Sequence, residues 1–202
     1  MAQIKNTAFE VRVSNGPFNM LENVTGIFHN TSQETEICSA GFLVKRTTQV
    51  PNEGYTGINN DNTWYMEAAA ATDLVTTPIF ACNPYQVNQI QDGANDNIFK
   101  VGANTLGLAL PKGEFGTFTH IVFDGLHIYR FGIGNLSAAI STNKFFTIAN
   151  GLLVPAGAAP TTDAAPYFEL VGTGTFTEGP MASFTYYDVV AKQVMADTAS
   201  EG

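Results

Sequence analysis

The chain has 202 residues and only 27 charged side chains, 18 acidic and 9 basic, against 23 threonines, 19 glycines and 17 asparagines. Its 45% hydrophobic content, with 15 Phe and 7 Tyr, supplies enough apolar area to offset chain entropy, which excludes disorder over the whole length. The net charge of −9, with basic residues so scattered that Lys45-Arg46 is the only adjacent pair, excludes direct nucleic-acid binding, because phosphate neutralisation needs a clustered basic footprint.

A chain this long can bury one sizeable core. The expectation is a single β-rich domain over 1–202, with 1–7 as a candidate N-terminal arm and 196–202 as an acidic C-terminal tail. The opening residues Met-Ala-Gln-Ile-Lys-Asn-Thr contain no apolar signal core, and no uninterrupted apolar run approaches the roughly 18–20 residues of a membrane span. A protein made in a cytoplasm, without a membrane partner, is therefore expected.

Strand signals begin at Phe9, Val11 and Val13, which alternate with Glu10 and Arg12 in the period of two that marks one buried and one wet face. Ser14-Asn15-Gly16-Pro17 ends that run with turn formers. Further strands are expected over 24–29, 35–38, 41–47, 64–70, 78–82 and 97–101, where β-branched and aromatic residues are bounded by Gly, Pro, Asn and Asp. The runs 116–123 and 126–131 flank Asp124-Gly125, a pair that predicts a two-residue hairpin because both positions accept positive φ. After it come 144–149, 167–171, 173–177 and 182–190, with Gly179-Pro180 between paired strands. Here both faces are apolar or aromatic, as in Phe184, Tyr186 and Val190 against Thr185, Tyr187 and Val189. Such strands lie between layers or under a neighbouring subunit.

Helical periodicity is weak. The alanine run 68–71 and the segment 189–196 are the two places where residue preference favours a turn or two of helix. Residues 48–62 and 155–166, rich in Pro, Gly, Asn and Ala, read as long loops of the kind used for contacts. The predicted fold is all-β, an antiparallel β-sandwich or jelly-roll-like domain with long loops and at most two short helices.

No constellation carries recognisable chemistry. Cys38 and Cys82 lack the spacing of a zinc site or a disulfide framework and read as two buried, reduced thiols, with a single bridge between them as the alternative. His29, His120 and His127 do not show metal-ligand spacing. Asp92 to Asn97 concentrates oxygen ligands beside a glycine but lacks the order of a calcium loop, and reads as an Asx-rich turn. Glu67 beside Trp64 and Tyr65 hints at glycoside chemistry, which needs a second carboxylate that the sequence does not identify. Gly132-Ile-Gly134 and Gly172-Thr-Gly174 read as bends, and the sequons at Asn23, Asn30 and Asn135 as products of an Asn/Thr/Ser-rich composition. No catalytic residue, no metal ligand and no cofactor is expected.

The segment 64–136, and within it PIFACNPYQVNQIQDGANDNIFKVGANTLGLALPKGEFGTFTHIVFDG at 78–125, resembles small head-associated structural proteins of tailed bacteriophages, the class that decorates or reinforces the capsid. The resemblance rests on residues 97–111 and on composition. It implies a non-enzymatic virion protein that binds the capsid lattice in many copies, with the major capsid protein and copies of itself as partners. Neutral Thr, Asn and Ser suit such joints, where unpaired buried charge is costly. A tail-tube or other ring-forming tail protein, and a receptor- or carbohydrate-binding β-domain of a fibre, are the alternatives. Ile4, Phe18, Tyr55 and Tyr167 are the expected partner contacts, because each carries apolar area in an arm or loop that otherwise gives little reason for it.

Overall fold

The computed structural model describes residues 6–14, 22–50, 63–84, 109–162, 165–178 and 182–194. These residues form thirteen strands and one short α-helix, an all-β, mostly antiparallel, sandwich-like fold. In chain order the strands are β1 (Phe9–Ser14), β2 (Asn23–Phe28), β3 (Cys38–Ser39), β4 (Leu43–Gln49), β5 (Thr63–Ala68), β6 (Ile79–Asn83), β7 (Ala109–Leu110), β8 (Gly116–His120), β9 (His127–Gly132), β10 (Phe145–Ala149), β11 (Leu152–Ala156), β12 (Pro166–Glu178) and β13 (Ala182–Gln193), with helix α1 at Asp73–Thr76.

One layer is an open six-stranded sheet in the order β1-β9-β13-β12-β10-β11, and the other is a closed barrel, β2-β5-β4-β6-β8, with β3 and β7 as a separate short pair. Among the named strands every pairing is antiparallel except β2 with β5, and an isolated parallel bridge joins Leu136 to Leu153. Closing the barrel removes its edges, so hydrogen bonding there does not depend on a neighbour.

Alternation along the strands fills two cores. Val24, Phe28, Val44, Met66, Phe80, Cys82 and Phe118 point into the barrel. Leu43, Ile79 and Ala81 occupy the alternate positions and meet Phe131, Phe146, Phe168 and Val189 of the open sheet. Four successive residues, Ile79 to Cys82, are consequently buried, because β6 lies between two cores. Full burial of a Phe side chain stabilises by about 1.5–3 kcal/mol, and eight phenylalanines of the described residues are essentially inaccessible.

Three expectations need correction. Asp124-Gly125 does not make a hairpin: β8 pairs with β2 and β6 of the barrel, whereas β9 pairs with β1 and β13 of the open sheet. The Asp124 carboxylate accepts from Leu126 N at 2.8 Å and Gly125 N donates to Ala191 O at 2.9 Å. The chain therefore uses an Asx turn to cross from one layer to the other. Only Gly125, at φ +74°, has a positive φ there. The two-residue hairpin is at Asn150-Gly151, with φ of 49° and 76°, joining Ala149 to Leu152. A Cβ on Gly151 would stand 2.4 Å from the Phe42 ring, so both dihedral and space require glycine there.

Residues 189–193 are strand, since their pairing with β12 from Leu170 down to Pro166 overrides a mild helical preference. The runs 167–171 and 173–177 form one strand, with a bulge between Leu170 and Gly172. After the alanine run, the lone helix α1 starts at Asp73, whose carboxylate accepts from Ala70 N at 2.8 Å and from Lys45 Nζ at 2.9 Å. The expected strand 97–101 and the Asp92 to Asn97 turn lie outside the described residues.

A buried asparagine ties the layers together. Asn135, 1% exposed, follows β9 on a 3-10 turn, Ile133–Asn135. Its side-chain oxygen accepts from Ala8 N and Gly132 N, each at 3.0 Å, and its amide donates to Ala40 O at 2.7 Å. One amide thus joins the start of β1, the end of β9 and the entry to β4.

Candidate interaction surface and polar cavity

Of the four expected contact residues, Ile4, Phe18 and Tyr55 lie outside the described residues. Tyr167 lies on the outward face of β12, because its neighbour Phe168 takes the inward position in the core. Its ring meets Phe145 edge-on, 6.0 Å between centroids. Two hollows adjoin it, one of about 640 Å³ between Phe123, Gly125, Tyr167 and Lys192, the other of about 290 Å³ between Leu74, Val75, Phe145 and Ala158. Tyr167 and Pro160 line both. Pro160 comes from the Pro/Ala-rich connection expected to be a contact loop. Val75, 72% exposed, extends the apolar area. At its rim Lys192 Nζ donates to Glu169 Oε2 at 2.6 Å, and that hydrogen bond raises the lysine's pKa.

A second cluster covers the outer side of the open sheet. Arg130 of β9 is 7% exposed, its Nε and Nη2 donating to both Asp188 oxygens at 2.7 and 2.8 Å. Glu10 Oε2 is 3.8 Å from its Nη1, and the Tyr186 ring lies 3.5 Å over the guanidinium. Burial alone would lower the Arg130 pKa, but the Asp188 hydrogen bonds and charge outweigh it and the net shift is upward. The charge is thus paired and permanent. Gly174 makes room for the Tyr186 ring.

The barrel's outer wall, on the side away from the open sheet, holds a polar cavity of about 250 Å³ lined by His29, Gln33, Thr35, Thr47, Thr48, Tyr65 and Glu67. Strand alternation builds it: Trp64, Met66 and Ala68 face the barrel interior, which turns Tyr65 and Glu67 outward. A bulge between Arg46 and Gln49 brings Thr47 and Thr48 over the same wall, and bulges commonly re-aim side chains beside functional sites. His29 Nδ1 donates to Asn30 O at 2.8 Å, and Glu67 Oε1 lies at 3.5 Å from the same nitrogen. Nε2 is 3.3 Å from the Thr47 hydroxyl, which itself donates to Tyr65 O at 3.0 Å. The loop over this wall is held by Asn30, whose side-chain oxygen accepts from Ser32 N and Glu34 N at 2.9 and 3.1 Å.

Among the described residues Glu67 therefore acquires a histidine neighbour and no second carboxylate. The other two histidines are elsewhere: His120 stacks on Phe80 at the barrel, and His127, fully buried, has Nδ1 at 3.2 Å from Asp124. Among the described residues no group of three or more His, Cys, Asp or Glu could hold a metal ion, and no helix is long and apolar enough to cross a membrane. Cys38 and Cys82 are free and buried, with the Cys82 thiol donating to Cys38 O at 3.4 Å. Burial pushes the Cys38 thiol well up, and the neighbouring thiol adds to it. Asn30 and Asn135 of the sequons serve the structural roles given above, and Asn23 accepts from the Thr119 hydroxyl at 2.8 Å. Comparison with protein-family models, curated proteins and solved structures finds no match for this chain.

Proposed function

We propose that this chain is a non-enzymatic virion structural protein, a capsid decoration protein that binds the capsid lattice in many copies and stabilises the shell. Its partners on this reading are the major capsid protein and further copies of itself, without direct contact to nucleic acid or membrane. The observation that carries the reading is the apolar surface around Tyr167, where two hollows adjoin beside the exposed Val75. Exposed apolar surface rimmed by polar groups marks contact sites on soluble proteins. The sparse charge and the Thr/Asn-rich exterior suit a joint between subunits, since neutral groups hydrogen-bond across it without the desolvation cost of ions. Each joint needs roughly 800 Å² per partner to be specific, and many copies on one lattice add through multivalency.

Imaging particles with and without the chain tests the assignment. Extra density on the shell is expected, and density confined to the tail or a fibre tip overturns it. Tyr167→Ala is expected to lower the copies retained on purified particles by at least about tenfold, as loss of a central aromatic anchor does, with an unchanged unfolding midpoint. Undiminished occupancy removes the Tyr167 surface from the contact.

A further inference from the structure

We infer that the polar cavity on the barrel's outer wall binds a single neutral, hydroxyl-rich ring, the size and chemistry of one monosaccharide unit. This inference is independent of the capsid reading and of the Tyr167 surface. At about 250 Å³ the cavity falls below the roughly 300–1,000 Å³ of sites for drug-sized ligands, which sets the ligand at one small ring.

The lining sets its chemistry. Three threonine hydroxyls, a glutamine amide, a phenol, an imidazole and a carboxylate surround the space. His29 and Thr47 already have protein partners, but an apolar occupant would displace water from the Glu67 carboxylate, at about 1–3 kcal/mol or more. An anion would face Glu67, and the described lining holds no lysine or arginine. A metal ion would find one carboxylate and one imidazole, short of the three His, Cys, Asp or Glu side chains that no group among the described residues provides.

Glu67 gives the strongest indication. Its neighbour His29 has already committed the Nδ1 proton to Asn30 O, at 2.8 Å against 3.5 Å to the carboxylate. Glu67 thus presents acceptor capacity to the cavity without a short donor from His29. A carboxylate of this kind accepts from two adjacent hydroxyls at once, the arrangement a vicinal diol supplies. The hydroxyls of Thr35 and Thr48 and the Gln33 amide then meet the remaining oxygens of the ring, while the half-buried Tyr65 offers an aromatic surface to its C–H side. Among the described residues the lining holds no second carboxylate to complete a hydrolytic pair, so only binding is inferred.

The test is nuclear magnetic resonance titration of the full chain, following the His29 imidazole and Glu67 carboxylate signals, with glucose, galactose, mannose and N-acetylglucosamine, and with inorganic phosphate and methylammonium as charged probes. At least one sugar is expected to shift both signals saturably, while the charged probes leave them unmoved. Glu67→Gln is nearly isosteric at a partly exposed site and is expected to weaken that sugar by at least about tenfold, the loss of a hydrogen bond to a charged group. Thr35→Val, which leaves Glu67 and His29 in place, should weaken it to a smaller degree. Shifts with methylammonium alone would make the cavity a cation site and overturn the inference. So would the absence of any sugar response, or sugar binding that both variants leave unchanged.

Discussion

Strand β6 and the outer half of the β12–β13 ribbon look alike in sequence, both apolar on two faces, and the fold treats them in opposite ways. Ile79 to Cys82 are buried on both faces, one face toward the barrel interior and the other toward the open sheet. On the ribbon, β13 pairs with β9 only from Tyr186 to Val190, and β12 pairs with β10 only at Phe168 and Glu169. Residues 183–185 and their partners 175–177 therefore form a two-stranded extension of the sheet. There Phe184 and Tyr187 remain partly exposed, while Phe176, Phe184 and Tyr186 gather into a small cluster of their own beside Arg130. Two-sided apolarity thus records two covering layers in one place. In the other it leaves aromatic area at the surface, of the kind a neighbouring subunit covers.

The difference predicts unequal costs for the same truncation. Phe80→Ala empties a fully buried position that β4, β8 and the Arg46 guanidinium surround, and should destabilise the chain by about 3–5 kcal/mol. Phe184→Ala removes a partly exposed ring from a small surface cluster and should cost about 1 kcal/mol. Urea unfolding midpoints of the two variants measure the gap. Equal losses would mean that the ribbon is as integral to the isolated fold as the barrel wall.

Asn135 joins the two layers and so probes how strongly they are coupled. Asn135→Ala removes the side-chain partner of Ala8 N, Gly132 N and Ala40 O together, with Gly132 N keeping a longer bond to Ala8 O at 3.4 Å. At about 1–3 kcal/mol for each buried group left unpaired, offset in part by relaxation and water entry, a loss of about 2–4 kcal/mol is expected. Hydrogen exchange should show where it falls: amides of β1 and the end of β9 should lose more protection than those of β5 on the far wall of the barrel. Uniform loss would show that the two layers unfold as one unit.

Alternation made much of the fold legible. The first strand could be read from Phe9, Val11 and Val13, and the β12–β13 pairing from the Gly179-Pro180 break. The hairpin at Asp124-Gly125 failed because an Asx turn uses the same residues as a hairpin turn, and only the pairing partners of β8 and β9 distinguish them. Asn150-Gly151 carries the same kind of signal, but the strand after it, Leu152–Ala156, is short and ends in Pro-Ala. Proline is tolerated there because β11 is an edge strand. Tyr167 is expected as apolar area in a loop, whereas the structure sets it on the outward face of strand β12. The setting of Glu67 is not legible in the sequence: His29 follows β2, which pairs with β5, and the bulge that aims Thr47 leaves no mark in composition.

The smallest effect concerns acid and the barrel. His120, at the end of β8, is partly buried against Phe80, and burial lowers its pKa, with the Glu22 charge opposing and Arg46 adding to the shift. The fold therefore favours the neutral ring. An unfolded histidine titrates near about 6.5, so this contribution is fully present above that value and is lost as pH falls through it toward the lower folded pKa. Between pH of about 7.5 and 5.5 the wild-type chain should lose more stability than His120→Gln, as urea midpoints across that window would show. Arg130, whose pKa is raised, keeps its charge through the same window. Acid should accordingly loosen β8 before the ribbon, and hydrogen exchange that rises first in β13 would reverse that order and place the acid-sensitive element on the open sheet.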